Sequence, residues 1–278
     1  MSTPFEALGL AAPLLRAVAD LGYTHATPVQ AQAIPAAMQG ADWLVGSQTG
    51  SGKTAAFLLP ALHRIIEQGP TAIHRVATPR VLVLCPTREL TQQVAAEAIR
   101  LVRHVKKLRI GQIVGGVAFG QQIAALKGAD LVVATPGRLL DLAQRRQIRL
   151  DMVQCLVVDE ADRMLDLGFQ EDLTAIHEAC ADRDQTLMFS ATFAPRIVQL
   201  ASRVMRDPQR IELANAQDRH ADIEQRLHWT DDANHKKRLL AHYLSASTLE
   251  QAVIFASTQI ETEALARELA NEGHQVAP

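Results

Sequence analysis

Short runs of β-branched and aliphatic residues recur along this chain, and longer amphipathic or Ala-rich stretches separate them. The runs at 43–45, 81–85, 110–114, 131–134, 155–158 and 187–189 read as strands, and stretches such as 54–68, 88–102 and 119–126 read as helices. Strand alternating with helix predicts a mostly parallel α/β sheet. Ligands of such sheets sit beyond the carboxyl ends of the strands. Most of the unusual residue clusters fall just after a predicted strand, where that rule places a site.

Near Arg206-Asp207-Pro208 the pattern loosens. A last strand is expected at 211–213, and the polar stretch 215–222 reads as a linker. A new cycle then begins, with strands expected at 227–229 and 253–255, helices at 235–244 and 259–271, and a further strand opening at Val276. The expected organisation is one α/β domain over 1–214 and an incomplete second domain over 223–278. Two or three strands without neighbours cannot bury both their faces.

Composition narrows the classes. Of the 278 residues, 48% are hydrophobic and 21% charged, an ordinary globular balance. Aromatics are only 4%, so the core must be aliphatic, which suits parallel strands covered on both faces. The net charge of −2 excludes a protein that holds nucleic acid by bulk charge; any such contacts must be local and few. The start, Met1-Ser2-Thr3-Pro4, lacks the features of a signal peptide, and no apolar run has the length of a membrane span. The three cysteines are scattered and the histidines lack metal-ligand spacing. The expectation is a soluble protein of the cytoplasm, with no membrane partner.

The strongest local signal is Ser47-Gln48-Thr49-Gly50-Ser51-Gly52-Lys53-Thr54, between a strand and an apolar helix. Glycines let a backbone wrap a phosphate with its N–H groups pointing inward. Thr49, Gly50, Ser51 and Gly52 would form that cradle, Lys53 would reach the outer phosphates and Thr54 would hold Mg²⁺. The strict pattern has Gly where Ser47 stands. The plain alternative is a Gly-rich turn capping a helix. The second signal is Asp159-Glu160-Ala161-Asp162, directly after an apolar strand. Asp159 is placed for the metal, through its water shell, and Glu160 for orienting or deprotonating an attacking water. Its alternative is an acidic first turn of a helix.

Asp-Glu-Ala-Asp after a phosphate loop resembles the name-giving signature of the DEAD-box RNA helicases of bacterial type. Further segments resemble that family's motifs, in its order. Gly22-Tyr23-Thr24-His25-Ala26-Thr27-Pro28-Val29-Gln30, with Phe5 upstream, is similar to the adenine-reading Q motif, about 3–31. Pro86-Thr87-Arg88-Glu89-Leu90, Gly115-Gly116 and Thr135-Pro136-Gly137-Arg138 resemble its RNA-contacting elements. Ser190-Ala191-Thr192 resembles the coupling motif, and Ile254-Phe255-Ala256-Ser257-Thr258 a motif of the second domain.

The resemblance implies a RecA-like three-layer sandwich, the start of a second one, ATP and Mg²⁺ as cofactors, and single-stranded or short duplex RNA as partner. Gln30 would read the adenine edge, with Tyr23 or Phe5 offering an aromatic face. Thr27-Pro28 also reads as a helix start that positions Gln30. Pro86, Thr87, Arg88, Gly116, Thr135, Pro136, Gly137 and Arg138 would hold the RNA backbone, contacts that position a strand without reading its sequence. Ser190 and Thr192 would couple nucleotide state to unwinding through hydrogen bonds to the acidic motif. Hydroxyls capping a strand end are the alternative. The implied activity is RNA-stimulated ATP hydrolysis coupled to duplex unwinding. This chain alone is expected to turn over slowly, because the family's arginine fingers lie past the motif at 254–258. A nucleotide-gated RNA clamp, a DNA helicase and a nucleotide kinase are the rivals.

Overall fold

A computed structural model of the chain describes residues 3–48, 50–70, 74–212, 224, 226–246 and 249–278. Its contacts divide it into two compact units, Met1–Asp218 and Arg219–Pro278. The expected linker at 215–222 lies outside the described residues.

The first unit opens with β1 (Thr3–Pro4), a 3-10 turn at Phe5–Leu8, α1 (Ala12–Asp20), β2 (His25–Ala26) and α2 (Pro28–Met38). Strand β1 pairs antiparallel with β2, so the chain start is clasped to the segment before α2. The main cycle follows: β3 (Trp43–Gly46), α3 (Lys53–Gln68), β4 (Val81–Leu84), α4 (Arg88–Leu101), β5 (Ile110–Ile113), α5 (Phe119–Ala125), β6 (Leu131–Ala134) and α6 (Pro136–Gln144). It closes with β7 (Cys155–Val158), α7 (Ala161–Asp166), α8 (Gln170–Ala179), β8 (Gln185–Ser190), α9 (Pro195–Val204) and β9 (Gln209–Glu212).

The seven strands β3 to β9 form one sheet in the order β5-β6-β4-β7-β8-β3-β9, every pairing parallel. All carboxyl ends therefore lie along one edge. Alternate residues feed two cores. Val81 and Val83 pack with Leu14, Ile34, Phe57 and Val94 from α1 to α4. Leu82 and Leu84 pack with Leu139, Leu142, Ile176 and Leu200 from α6, α8 and α9. This is the three-layer α/β sandwich of RecA-like domains. Phe57 and Phe189 meet edge to face at 5.3 Å, both almost wholly buried.

Strand β8 extends beyond its apolar run because Gln185 and Thr186 find polar partners inside. The Gln185 amide donates to the Ala37 and Ala41 carbonyls at 2.9 and 2.7 Å, and the Thr186 N–H donates to Asp42 at 2.6 Å. A buried polar group is tolerated when so paired. The last strand begins at Gln209, two residues before its expected start, and Leu213 lies outside the described residues.

In the second unit, α10 (Ala233–Leu244) and α11 (Gln259–Asn271) form as expected. Asp232 caps the first by accepting the His235 N–H at 2.6 Å, and Thr258 caps the second by accepting that of Glu261 at 3.2 Å. The strands expected at 227–229, 253–255 and from Val276 do not form among the described residues. Residues 227–229 and 253–255 run without a ladder partner, and Trp229 and Phe255 stand 86% and 93% exposed. A strand is a hydrogen-bonded relation between two segments, so apolar β-branched composition does not make one by itself.

Candidate active site

Two clefts open at the carboxyl edge of the sheet. The first, about 660 Å³, is lined from β3, α2, α4 and β7 by residues including Tyr23, Gln30, Gly50, Gly52, Lys53, Thr54 and Glu160. Strand β8 separates β3 from β7, so Ser190 sits between the phosphate loop and the acidic turn.

The loop after β3 has the shape its glycines permit. Gly50 and Gly52 have φ of +78° and +88°, values that a side chain strains. Ser47 is buried, and its N–H donates to the Ser190 carbonyl at 3.0 Å, continuing the strand pairing. Its φ is not positive, so this position has no need of the glycine of the strict pattern. Ser51 bonds back to the Gln48 carbonyl at 2.8 Å. Thr49 lies outside the described residues.

Lys53, in the first turn of α3, reaches across β8. Its ammonium lies 3.1 Å from Asp159 Oδ1 and donates to Glu160 Oε1 at 3.0 Å. Burial works against the Lys53 charge, but the two carboxylates outweigh it and its pKa is raised. Asp159 is wholly buried, and burial pushes its carboxyl up to about 6 against the pull of Lys53. Its one close side-chain partner among the described residues is the Lys53 ammonium on Oδ1. A buried carboxylate with lone pairs left beside Lys53 is of the kind that holds a hard cation, and Thr54 lines the same cleft. The residues fit Mg²⁺. Glu160 adopts φ 52° and ψ 53°, the left-handed region, at the turn between β7 and α7. Non-glycine residues held there carry strain that clusters at functional sites.

The Q-motif residues frame the other end of the cleft. Thr27 and Gln30 form a capping box: the Gln30 N–H donates to Thr27 Oγ1 at 3.5 Å and the Thr27 N–H to Gln30 Oε1 at 3.0 Å. The Gln30 amide also donates to the Gly52 carbonyl at 3.0 Å, tying α2 to the phosphate loop. One amide proton and one lone pair of Gln30 remain for a ligand. Tyr23 lines the cleft, whereas Phe5 does not. Phe5 is 2% exposed and its ring stacks on Tyr23 at 6.4 Å. An aromatic so placed supports a ring rather than meeting a base. Sequence reasoning missed Leu90, Gln93 and Glu97 of α4, which also line this cleft. Their spacing of three and four residues puts them on one helix face with the motif before them, a signal that was available. Burial raises the Glu97 carboxyl.

The second cleft, about 690 Å³, gathers Pro86, Thr87, Arg88, Gly116, Thr135, Gly137 and Arg138 from the ends of β4, β5 and β6. Pro136 is buried and is not among its lining residues. Proline at the first turn of α6 sets the helix start instead. The Thr87 hydroxyl caps α4, accepting the Leu90 N–H at 3.2 Å, and keeps its own O–H to donate. Glu89, Asp141, Leu167 and Phe169 also line the cleft. Ser190 Oγ donates to the Thr192 carbonyl at 2.8 Å. Among the described residues no hydrogen bond joins Ser190 or Thr192 to the acidic turn, contrary to the expectation. The Ser190 hydroxyl closes its own strand end.

A phosphate loop and an acidic turn facing each other across one strand, at the carboxyl edge of a parallel sheet, define a RecA-like nucleotide-binding domain. Comparison with known proteins narrows the class. The DEAD/DEAH box helicase family model matches residues 27–200, more than half the chain, and the chain belongs to that family. It is 39% identical over 276 residues to the ATP-dependent RNA helicase DeaD of Klebsiella pneumoniae, covering 99% of this chain and 42% of that protein. It is 36% identical over 279 residues to the ATP-dependent RNA helicase RhlB of Pseudomonas syringae pv. tomato, covering 99% and 70%. The crystal structure of a DEAD box protein from Methanococcus jannaschii superposes with a TM-score of 0.69 at 34% identity, covering 97% of this chain and 70% of that one. The chain thus spans less than half the length of the DeaD relatives it matches. Among the described residues no helix is long and apolar enough to cross a membrane, and Cys85, Cys155 and Cys180 are free and buried.

Proposed function

We propose that this chain carries the ATP-hydrolysing and RNA-gripping core of an ATP-dependent RNA helicase. The observation that carries the reading is Lys53 held at 3.1 and 3.0 Å between the buried Asp159 and Glu160, at the carboxyl edge of the sheet. In this reading the N–H groups of 49–54 and the Lys53 ammonium bind the outer phosphates of ATP. Tyr23 stacks on adenine and Gln30 reads its edge with the two groups it has left. Asp159 and Thr54 hold Mg²⁺, which when bound neutralises charge on the phosphate oxygens. A phosphate arriving at Lys53 draws the ammonium from Glu160 Oε1, while Arg163 keeps Oε2 at 3.4 Å, and the released oxygen orients water and takes its proton.

The second cleft takes the RNA backbone. Arg88 and Arg138 supply charge, the N-termini of α4 and α6 supply N–H groups, and Gly116 and Gly137 allow close approach. Such contacts are sequence-tolerant, which fits a near-neutral chain. The segments 1–214 and 223–278 belong to two RecA-like lobes, and ATP and RNA both favour the closed pair, prying short duplexes apart. The proposed setting is the cytoplasm.

The test is ATP hydrolysis with and without oligouridine, beside Glu160→Gln, together with Mg²⁺-dependent binding of a fluorescent ATP analogue. RNA-stimulated turnover lost in Glu160→Gln supports the helicase reading. Mg²⁺-dependent binding lost in Lys53→Ala, without turnover in the parent, supports an intact ATP-binding first domain whose turnover needs groups from the second. An unaltered Lys53→Ala chain overturns the phosphate-loop assignment.

A further inference from the structure

Helix α5 holds no residue picked out by the phosphate or RNA motifs, yet it touches Arg138 of the second cleft and holds the strand end from which the glycines beneath Arg88 turn. The Arg138 guanidinium carbon lies 4.2 Å from the centroid of the Phe119 ring, in cation–π geometry, and Arg138 Nη1 donates to the Val117 carbonyl at 3.2 Å. Arg145, at the other end of α6, lies over the same ring at 4.6 Å. One turn along α5, the Gln122 side chain is 4% exposed and donates to the Val114 carbonyl at 3.0 Å. That bond fixes the end of β5, from which Gly115 and Gly116 turn beneath Arg88. A Cβ on Gly116 would stand 2.6 Å from Arg88 Nη1, and one on Gly115 3.1 Å from Nη2.

Without these contacts a long arginine side chain samples many rotamers, and ordering it on RNA costs entropy. We infer that α5 is the positioning element of the second cleft, with Phe119 as the platform that aims Arg138 at the RNA backbone and Gln122 as the clamp that sets the glycine shelf under Arg88. The inference rests on the RNA reading of that cleft. Neither residue touches the reacting atoms, and both act through the arginines.

The test separates platform from bystander. Binding of labelled oligouridine to the full chain is titrated at several salt concentrations for the parent, Phe119→Leu, Phe119→Tyr, Arg138→Ala and the Phe119→Leu/Arg138→Ala pair. Loss of a cation–π platform should weaken binding by about two- to fivefold. Losing one phosphate contact should shallow the log-log salt slope by about 0.7. Phe119→Leu should weaken binding with a parent-like slope, Arg138→Ala should show both effects, Phe119→Tyr neither, and Phe119→Leu should add nothing once Arg138 is gone. Should Phe119→Leu unfold, Phe119→Met gives the same comparison with a side chain that fills the space, and binding of the ATP analogue reports that the fold persists. Parent-like affinity in Phe119→Leu, or a full further loss in the Arg138→Ala background, overturns the platform role. If Arg138→Ala itself leaves affinity and slope unchanged, the RNA reading of the cleft falls first.

Discussion

Gly52→Ala tests how the Q motif and the phosphate loop are coupled. A Cβ built on Gly52 stands 2.5 Å from the Gln30 amide nitrogen and 3.1 Å from Thr27 Oγ1, at a φ of +88°. The backbone conformation alone costs about 1–2 kcal/mol with a side chain present. Gln30 could swing aside, but it is 5% exposed and tied down by its amide bond to the Gly52 carbonyl and by the capping box. Moving it forfeits two hydrogen bonds at about 0.5–1.5 kcal/mol each. Gly52→Ala should therefore cost about 2–5 kcal/mol of loop stability. In a Gln30→Ala chain those bonds are already gone and the obstruction is removed, so the same substitution should cost only the backbone part, about 1–2 kcal/mol. A double-mutant cycle on urea unfolding of the first unit, followed by the fluorescence of Trp43 with Trp229 replaced by Phe, measures the difference. Equal costs in both backgrounds would refute the coupling between Gln30 and the loop.

Three further outcomes follow from the same geometry. Gly116→Ala, at φ +83° and 2.6 Å from Arg88, should weaken oligouridine binding severalfold, in line with about 1–2 kcal/mol of backbone strain, while leaving ATP-analogue affinity unchanged. Phe57→Ala, which empties a wholly buried site against Phe189, should destabilise the first unit by about 3–5 kcal/mol in urea unfolding. His177 lies at the bonded end of Arg183 Nη2, at 2.6 Å, and burial followed by that guanidinium lowers its pKa below 6.5. The unfolded chain therefore binds the proton first, so this contribution is full above about pH 6.5 and lost as pH falls through the folded value. The unfolding midpoint of the parent should drop more between pH 7.5 and 5.5 than that of His177→Gln, and parallel drops would rule the group out.

The local elements were largely legible in the sequence. The apolar runs at 131–134 and 155–158 became strands with those bounds, and 259–271 became a helix started by its Thr258 cap. Locality explains this: caps, turns and apolar runs are read within a few residues. The phosphate loop and the acidic turn were legible for the same reason, since each is one short segment following one strand. The misses were relations between distant segments. The runs at 227–229 and 253–255 have strand composition but no ladder. The polar start of β8 hid the first two residues of a strand otherwise read at 187–189, because the partners of Gln185 lie near 37 and 41.

What the sequence by itself determined is the alternation of elements, the residue types of both clefts and their order along the chain. Only the tertiary structure decided which of those residues meet. Strand order put β8 between Lys53 and the carboxylates it grips. Packing turned Phe5 inward behind Tyr23, buried Pro136, closed Ser190 onto its own strand end, and set Phe119 under Arg138. The physical reason is that burial, ion contact and ring stacking depend on distances through space, which a parallel sheet assigns by strand order and not by separation along the chain.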